Sequence, residues 1–215
     1  MSQTDENRTD AQQSAAHVKA TREDWLNAAL DTLISDGVEQ VKVLTLSAKL
    51  EVSRSSFYWY FKSREDLLDA LLSVWRDQNT RAIVEKSRSQ ADTIVQAVVD
   101  LGQCWFDNSL FDPRLDFAIR EWARRSGRVR RILDREDDKR IDAIRAMFAR
   151  YGYAETEAFI RARVMYFTQI GYYALELNET DEERLALFEP YLLAYTGQAP
   201  TEADRAHIAH VFSKK

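Results

Sequence analysis

Apolar positions recur at helical spacing through most of this chain. Trp25, Ala29 and Leu33 repeat every four residues, as do Leu26, Leu30 and Ile34. Ahead of them, Thr21-Arg22-Glu23-Asp24 offers a capping threonine with an acid three residues on. Gly37 stands where a left-handed residue commonly stops a helix. A short segment over 44–50 follows, then Glu51-Val52, then Ser53 as the cap of another short helix reaching Phe61. Ser63-Arg64-Glu65-Asp66 opens a longer helix to about Trp75, whose Leu67, Leu68, Leu71, Leu72 and Trp75 share one face. Beyond residue 90 the periodicity predicts amphipathic helices over about 92–108, 113–125, 129–150, 155–177 and 181–196. Pro190 falls inside the last and predicts a kink or a break near it. Residues 1–18 read as a loose polar arm and 198–215 as a weakly patterned polar tail.

The fold class expected from this pattern is all-α. Six Gly and three Pro in 215 residues are about a third of the usual share, too few turn signals for a sandwich or barrel. The single Cys104 excludes an internal disulfide framework and fits a reducing compartment. No apolar run approaches the roughly 18 residues of a membrane span. The start, MSQTDENRTD, lacks the apolar core of a signal peptide. A soluble, cytoplasmic protein with no membrane partner is the expectation.

The net charge of −5 disfavours a nucleic-acid partner at first sight, but binding responds to the local field. Between residues 37 and 64 stand Lys42, Lys49, Arg54, Lys62 and Arg64 against Glu39 and Glu51. A second run, Arg120, Arg124, Arg125, Arg128, Arg130 and Arg131, precedes Asp134, Glu136, Asp137 and Asp138 and reads as a solvated helix surface. Two short helices after a longer one are the ingredients of a helix-turn-helix. In the second, Phe57 and Phe61 face the core, while Arg54, Ser55, Tyr58, Trp59 and Lys62 turn outward or to the flanks. Tyrosine and tryptophan on that face suit phosphate oxygens, sugars and thymine methyls. Arg54 suits a guanine edge, and Ser55 and Ser56 are small enough for a close approach to the groove. Lys62 could share one phosphate with the start of the next helix. Thr45 and Tyr60 complete the candidate DNA-binding set.

The stretch V-E-Q-V-K-V-L-T-L-S-A-K-L-E-V-S-R-S-S-F-Y-W-Y-F-K-S-R-E-D-L-L over 38–68 resembles the DNA-binding domain of TetR/AcrR-type transcriptional regulators. The matching core, V-S-x-x-x-F-Y-x-Y-F-K-x-R-E-x-L, runs over 52–67, and Asp112-Pro113-Arg114-Leu115 resembles one branch of the family. The turn departs from the pattern, with Glu51 where glycine is usual. The resemblance implies a three-helix helix-turn-helix domain (19–79), a helical ligand-binding and dimerisation domain (80–197), a dimer through the last two long helices, and a ligand pocket.

The apolar sets that suit such a dimer are Phe167, Ile170, Gly171 and Ala174 on the penultimate helix and Phe188 and Leu192 on the last. Gly171 would allow a close crossing. Candidate ligand contacts are Cys104, Trp105, Phe117, Glu121, Trp122, Tyr166, Gln169 and Tyr173, on the helices that line the pocket in similar proteins. The expected partners are palindromic double-stranded operator DNA, a second copy of the chain and an unidentified small-molecule effector. No cofactor or metal is expected. G-x-S-x-G, P-loop and dinucleotide-turn patterns are all missing, and Cys104 has no nearby histidine. His207 and His210, three apart, lack a third ligand in a tail read as frayed. Two other readings stay open: an interaction protein of this fold that has lost operator binding, and a small-molecule-binding or catalytic helical protein.

Overall fold

The computed structural model describes residues 20–177 and 179–213, and among them every regular element is helical. The arm over 1–18 and the last two residues of the tail lie outside the described residues. Helix α1 (Arg22–Asp36) starts as its sequence dictates: the Thr21 side chain accepts the Asp24 amide, and Asp24 returns the bond to the Thr21 backbone. Trp25, Ala29 and Leu33 are buried on one stripe. Gly37 ends the helix at φ +80°, a conformation that favours glycine. A 3-10 turn (Val38–Gln40) leads to α2 (Val43–Lys49) and α3 (Arg54–Phe57). Helix α4 (Arg64–Trp75), capped by Ser63, buries Leu67, Leu68, Leu71, Leu72 and Trp75. Each such side chain contributes about 1.5–3 kcal/mol through burial.

Helix α4 does not stop at Trp75. It runs through a π-helical turn (Arg76–Thr80) into α5 (Arg81–Lys86). The 79/80 boundary therefore falls within a continuous helical run. Then come α6 (Ile94–Phe106), α7 (Pro113–Arg125), α8 (Gly127–Arg150) and α9 (Glu155–Ala174). Helix α7 begins where Asp112-Pro113 predicts, with the Asp112 carboxylate accepting the Arg114 and Leu115 amides. Two hydrophobic cores result. The amino-terminal one is completed by Leu115, Ile119, Trp122, Val129 and Leu133 from α7 and α8. The other gathers α5, α6, α8, α9 and the helices Phe188–Thr196 and Glu202–Phe212.

At the carboxy-terminal end the break expected near Pro190 is present, and the tail departs from the expected pattern. The single helix over 181–196 is two, α10 (Asp181–Ala186) and α11 (Phe188–Thr196). Pro190 has no N–H to donate to the carbonyl of Ala186 four residues back, so the break comes upstream of it. The polar tail is also folded through Phe212. Helix α12 (Glu202–Phe212) begins with the Thr201–Asp204 capping box, and Ile208, Val211 and Phe212 pack on the second core. His207 is not frayed: its Nε2 lies 2.8 Å from Asp100 Oδ1.

Candidate nucleic-acid interface and effector region

The turn between α2 and α3 is closed by Val52 N–H donating to the Ser47 carbonyl (3.0 Å) and Glu51 N–H to that of Ala48 (3.3 Å). Glu51 has φ +54°, the left-handed conformation that glycine adopts without penalty. Glu51→Gly is therefore expected to raise stability by about 0.5–1 kcal/mol in urea denaturation, after the extra unfolded-state entropy of glycine is allowed for. It also removes a carboxylate beside the outer face.

Helix α3 is a single turn, and the chain continues through Tyr58, Trp59 and Tyr60 with i→i+3 hydrogen bonds rather than the α-helix expected to Phe61. Phe57 anchors it from below, edge-on to Trp25 (5.2 Å) and stacked on Phe61 (5.4 Å). Above that anchor Arg54 and Ser55 are exposed, Tyr58 is 61% exposed and Trp59 63%. Lys62 is exposed, and Thr45 and Tyr60 are half-buried. Ser56 does not join this face: it is buried, and its hydroxyl donates back to the Ser53 carbonyl (2.8 Å). This residue, three positions after the cap of a one-turn helix, points toward the body of the domain.

The local charge is also arranged differently from a simple count. Lys49 Nζ donates to Thr32 Oγ1 (2.9 Å) and lies 3.6 Å from Asp36. Arg64 donates to the carbonyls of Val41 (2.6 Å) and Val38 (2.7 Å), pinning the start of α4 to the approach to α2. Both make structural contacts, though Lys49 stays exposed together with Lys42, Arg54 and Lys62. At the start of α4 the Asp66 carboxylate accepts the Lys62 backbone N–H (2.9 Å), so this terminus is already capped by an anion.

The eight candidate ligand residues do not form one site. Phe117 and Tyr173 line a cavity of about 320 Å³, with Pro113, Arg114, Tyr172 and Arg184. Trp105 and Gln169 line a narrow neighbouring chamber of about 40 Å³, which shares Tyr172 and Arg184 with the first. Trp122 and Glu121 lie elsewhere, in a crevice between the end of α1 and α7, and Trp122 belongs to the amino-terminal core. Glu121 is exposed and pairs with Arg124 (3.3 Å). Cys104 is fully buried in the second core, where desolvation pushes its thiol pKa up to about 12. Trp122, Glu121 and Cys104 are placed apart because α7 and α6 each turn one face to a core and another to the cavity.

The apolar face of α9 is exposed as a stripe of Ile160, Val164 and Phe167. Ile170 is half-buried, Ala174 is exposed, and no neighbouring atom stands within 4 Å of where a Cβ on Gly171 would lie. On α11 the expected pair is turned the other way. Phe188 and Leu192 are buried within the chain, and Leu193 is the outward residue. The Phe188 ring packs over Gly102 so closely that a Cβ on that glycine would stand 3.1 Å from its Cζ.

Residues 26–71, which include all of α2 and α3, match the family described as bacterial regulatory proteins, tetR family. Residues 26–71 are a TetR-family segment. The chain is similar to the HTH-type transcriptional regulator TtgW of Pseudomonas putida, 32% identical over 63 residues, which are 29% of this chain and 47% of that protein. An HTH-type transcriptional regulator of Saccharopolyspora erythraea is 28% identical over 96 residues, 45% of this chain and 40% of that one. The matched segments thus span less than half the length of these curated relatives. In fold, the chain is similar to AmtR of Mycobacterium smegmatis, with a TM-score of 0.63 at 15% identity over 91% of this chain and 96% of that one. The fatty acid degradation regulator FadR of Bacillus halodurans gives 0.61 at 17% identity, over 82% and 94%. The TetR family is one of regulatory proteins rather than enzymes.

Behind the TetR-family helix-turn-helix lies a buried polar network that sequence reasoning passed over. Asp116 Oδ1 accepts the Trp75 indole N–H (2.7 Å) and Arg140 Nη1 (2.9 Å), and Oδ2 accepts Arg120 Nε (2.8 Å). Arg120 also grips both oxygens of Asp137 at 2.9 Å. The Tyr166 hydroxyl donates to Asp137 (2.7 Å) and accepts from both guanidiniums at 3.0 Å. Arg140 Nε reaches Thr80 in the π-helical turn (3.0 Å). Desolvation pushes the Asp116 pKa up, but the opposing pull of Arg140 and Arg120, with the Trp75 N–H, leaves it below the ordinary carboxylate value. Burial raises the Tyr166 pKa, so its phenol stays protonated. Arg120 is therefore not part of a solvated surface. A signal was present: Asp116 shares the stripe of Leu115, Ile119 and Ala123, and Arg140 that of Leu133, Ile144 and Met147.

Proposed function

We propose that this chain is a sequence-specific DNA-binding transcriptional regulator, acting as a ligand-responsive repressor that binds a palindromic operator as a homodimer. The observation that carries it is the outer face of α3 and the turn after it. Arg54, Tyr58, Trp59 and Lys62 are exposed together over an aromatic anchor of Phe57 and Phe61. Large aromatics held out in water beside cations suit sugar, phosphate and base-edge contacts better than they suit solubility. The relatives named as transcriptional regulators support the same reading.

In a symmetric dimer the two recognition elements enter successive major grooves about 34 Å apart. The α9 stripe with Leu193 supplies an apolar, self-complementary surface for that symmetry. Effector and DNA regions are bridged by contiguous packing. Tyr173 of the larger cavity stacks on Phe111 (5.8 Å), and the Arg140 guanidinium lies over both Phe111 (5.6 Å) and Trp75 (4.9 Å). Trp75 is the last residue of α4 before the π-helical turn, and the start of α4 adjoins Lys62. A ligand acts through this route by favouring the conformation of α4 that binds DNA less well.

Selection from random duplexes tests the reading. A palindromic consensus is expected. Lys62→Ala should weaken binding to all sequences and lower the salt slope by about 1, whereas Arg54→Ala should cost about 1–3 kcal/mol at one half-site position. Equal affinity for selected and random duplexes at moderate salt would favour the second reading, an interaction protein, to which the Glu51 carboxylate beside this face lends some support.

A further inference from the structure

The shared wall of the two cavities has a chemistry of its own. Arg184 of α10 lines both. Its Nη2 donates to the carbonyl of Trp105 (3.0 Å), near the end of α6, and its guanidinium lies 4.3 Å from the Phe106 ring centre. The nearest carboxylate, Asp181, is 3.9 Å from Nη1, too far for a hydrogen bond. One of its donors thus holds the helix end, and the group remains a cation set among aromatic rings. Among the described residues it is the one charged group lining the narrow chamber. On the same chamber Gln169 is 8% exposed, and its amide Nε2 is buried without a well-formed hydrogen bond, although the side chain also meets Tyr173. A buried donor without a well-formed bond is costly, and such a position favours a better acceptor.

The larger cavity supplies the room. Its 320 Å³ is at the small end of the ~300–1,000 Å³ typical of ligand sites, and its walls include the rings of Phe117, Tyr172 and Tyr173. Burial raises the pKa of Tyr173, and burial with a hydrogen bond to Glu179 raises that of Tyr172, so both phenols stay neutral. Glu176 and Glu179 on the same cavity oppose a multiply charged anion such as a phosphate. A cation in the narrow chamber would be repelled by Arg184, and a neutral molecule would gain less from its guanidinium than a carboxylate would. Resting on the effector reading above, we infer that this chain binds a small aromatic monocarboxylate, its ring against Phe117 and Tyr173 and its carboxylate shared by Arg184 and Gln169.

Calorimetric titration of the full chain with 3-phenylpropanoate, 3-phenylpropanamide and 3-phenylpropylamine tests this class. The carboxylate is expected to bind at least about tenfold more tightly than the amide or the amine. Arg184→Gln should bring carboxylate and amide affinities together, Arg184→Lys should keep most of the preference, and Gln169→Leu should weaken the carboxylate several-fold. Circular dichroism on each variant separates lost binding from lost folding. Amide or amine binding as tight as the carboxylate overturns the inference, as does no carboxylate binding at about 1 mM by the folded chain. Operator binding, measured in parallel, keeps the two readings apart. A carboxylate preference without release of DNA upholds the ligand class and removes its regulatory role. Operator binding with no carboxylate binding overturns the class and leaves the regulator reading in place.

Discussion

Asp116→Ala is expected to destabilise the chain by about 3 kcal/mol, the lower end of the ~3–5 kcal/mol that follows removal of one partner from a buried ion pair. The lower end applies because Asp137 stands 3.7 Å from Arg140 and compensates part of the exposed charge. Arg140 is fully buried, so without Asp116 a guanidinium and the Trp75 indole lose their common acceptor together. Against a domain stability of about 5–15 kcal/mol this is a large fraction. Urea unfolding measures it, and a loss below about 1 kcal/mol would show that the network is dispensable. The pH dependence has a defined sign. The folded pKa of Asp116 lies below its ordinary value, so its stabilisation is fully present above about pH 4 and is lost as pH falls through the depressed value. The variant should therefore differ most from wild type at neutral pH and converge with it in strong acid.

Gly171→Glu is expected to convert dimers to monomers and to lower operator affinity by on the order of 10²-fold or more, since each half-site alone loses the avidity of two linked contacts. Position 171 separates assembly from folding unusually well. No neighbouring atom of the same chain lies within 4 Å of where a Cβ would stand there, and replacing a glycine in the last turn of α9 adds at most about 0.5–1 kcal/mol of helix propensity. The substituted chain should thus fold as well as wild type. In the proposed dimer the same side chain would clash and bury a carboxylate against the Ile160, Val164 and Phe167 stripe. Sedimentation velocity decides between these outcomes. A Gly171→Glu chain that remains dimeric would move the interface away from α9.

What was legible in the amino-acid sequence was whatever local chemistry dictates. Thr21, Ser63 and Asp112 cap the helices they precede, Gly37 takes a positive φ, and Trp25, Leu67, Leu71 and Trp75 face a core because helical spacing puts them on one stripe. The recognition motif over 52–67 was equally readable, since its pattern is contiguous in the chain. Even Glu51 was marked as the odd residue of its turn, and it is the one held at φ +54°. Tertiary structure decided the questions of sidedness and of long-range pairing. Phe188 and Leu192 form as good an apolar stripe as Phe167 does, but α11 turns its stripe onto α6 whereas α9 leaves one uncovered. Periodicity defines a face without saying what covers it. The tail over 202–212 looked polar because Ile208, Val211 and Phe212 are few, yet packing on α6 suffices to fold it. Asp116, Asp137, Arg140 and Tyr166 are up to 50 residues apart along the chain, and no local signal pairs one charge with another at that range. Their pairing follows from burial, because a charge driven into a core by its neighbours on the helix must find its counter-ion there.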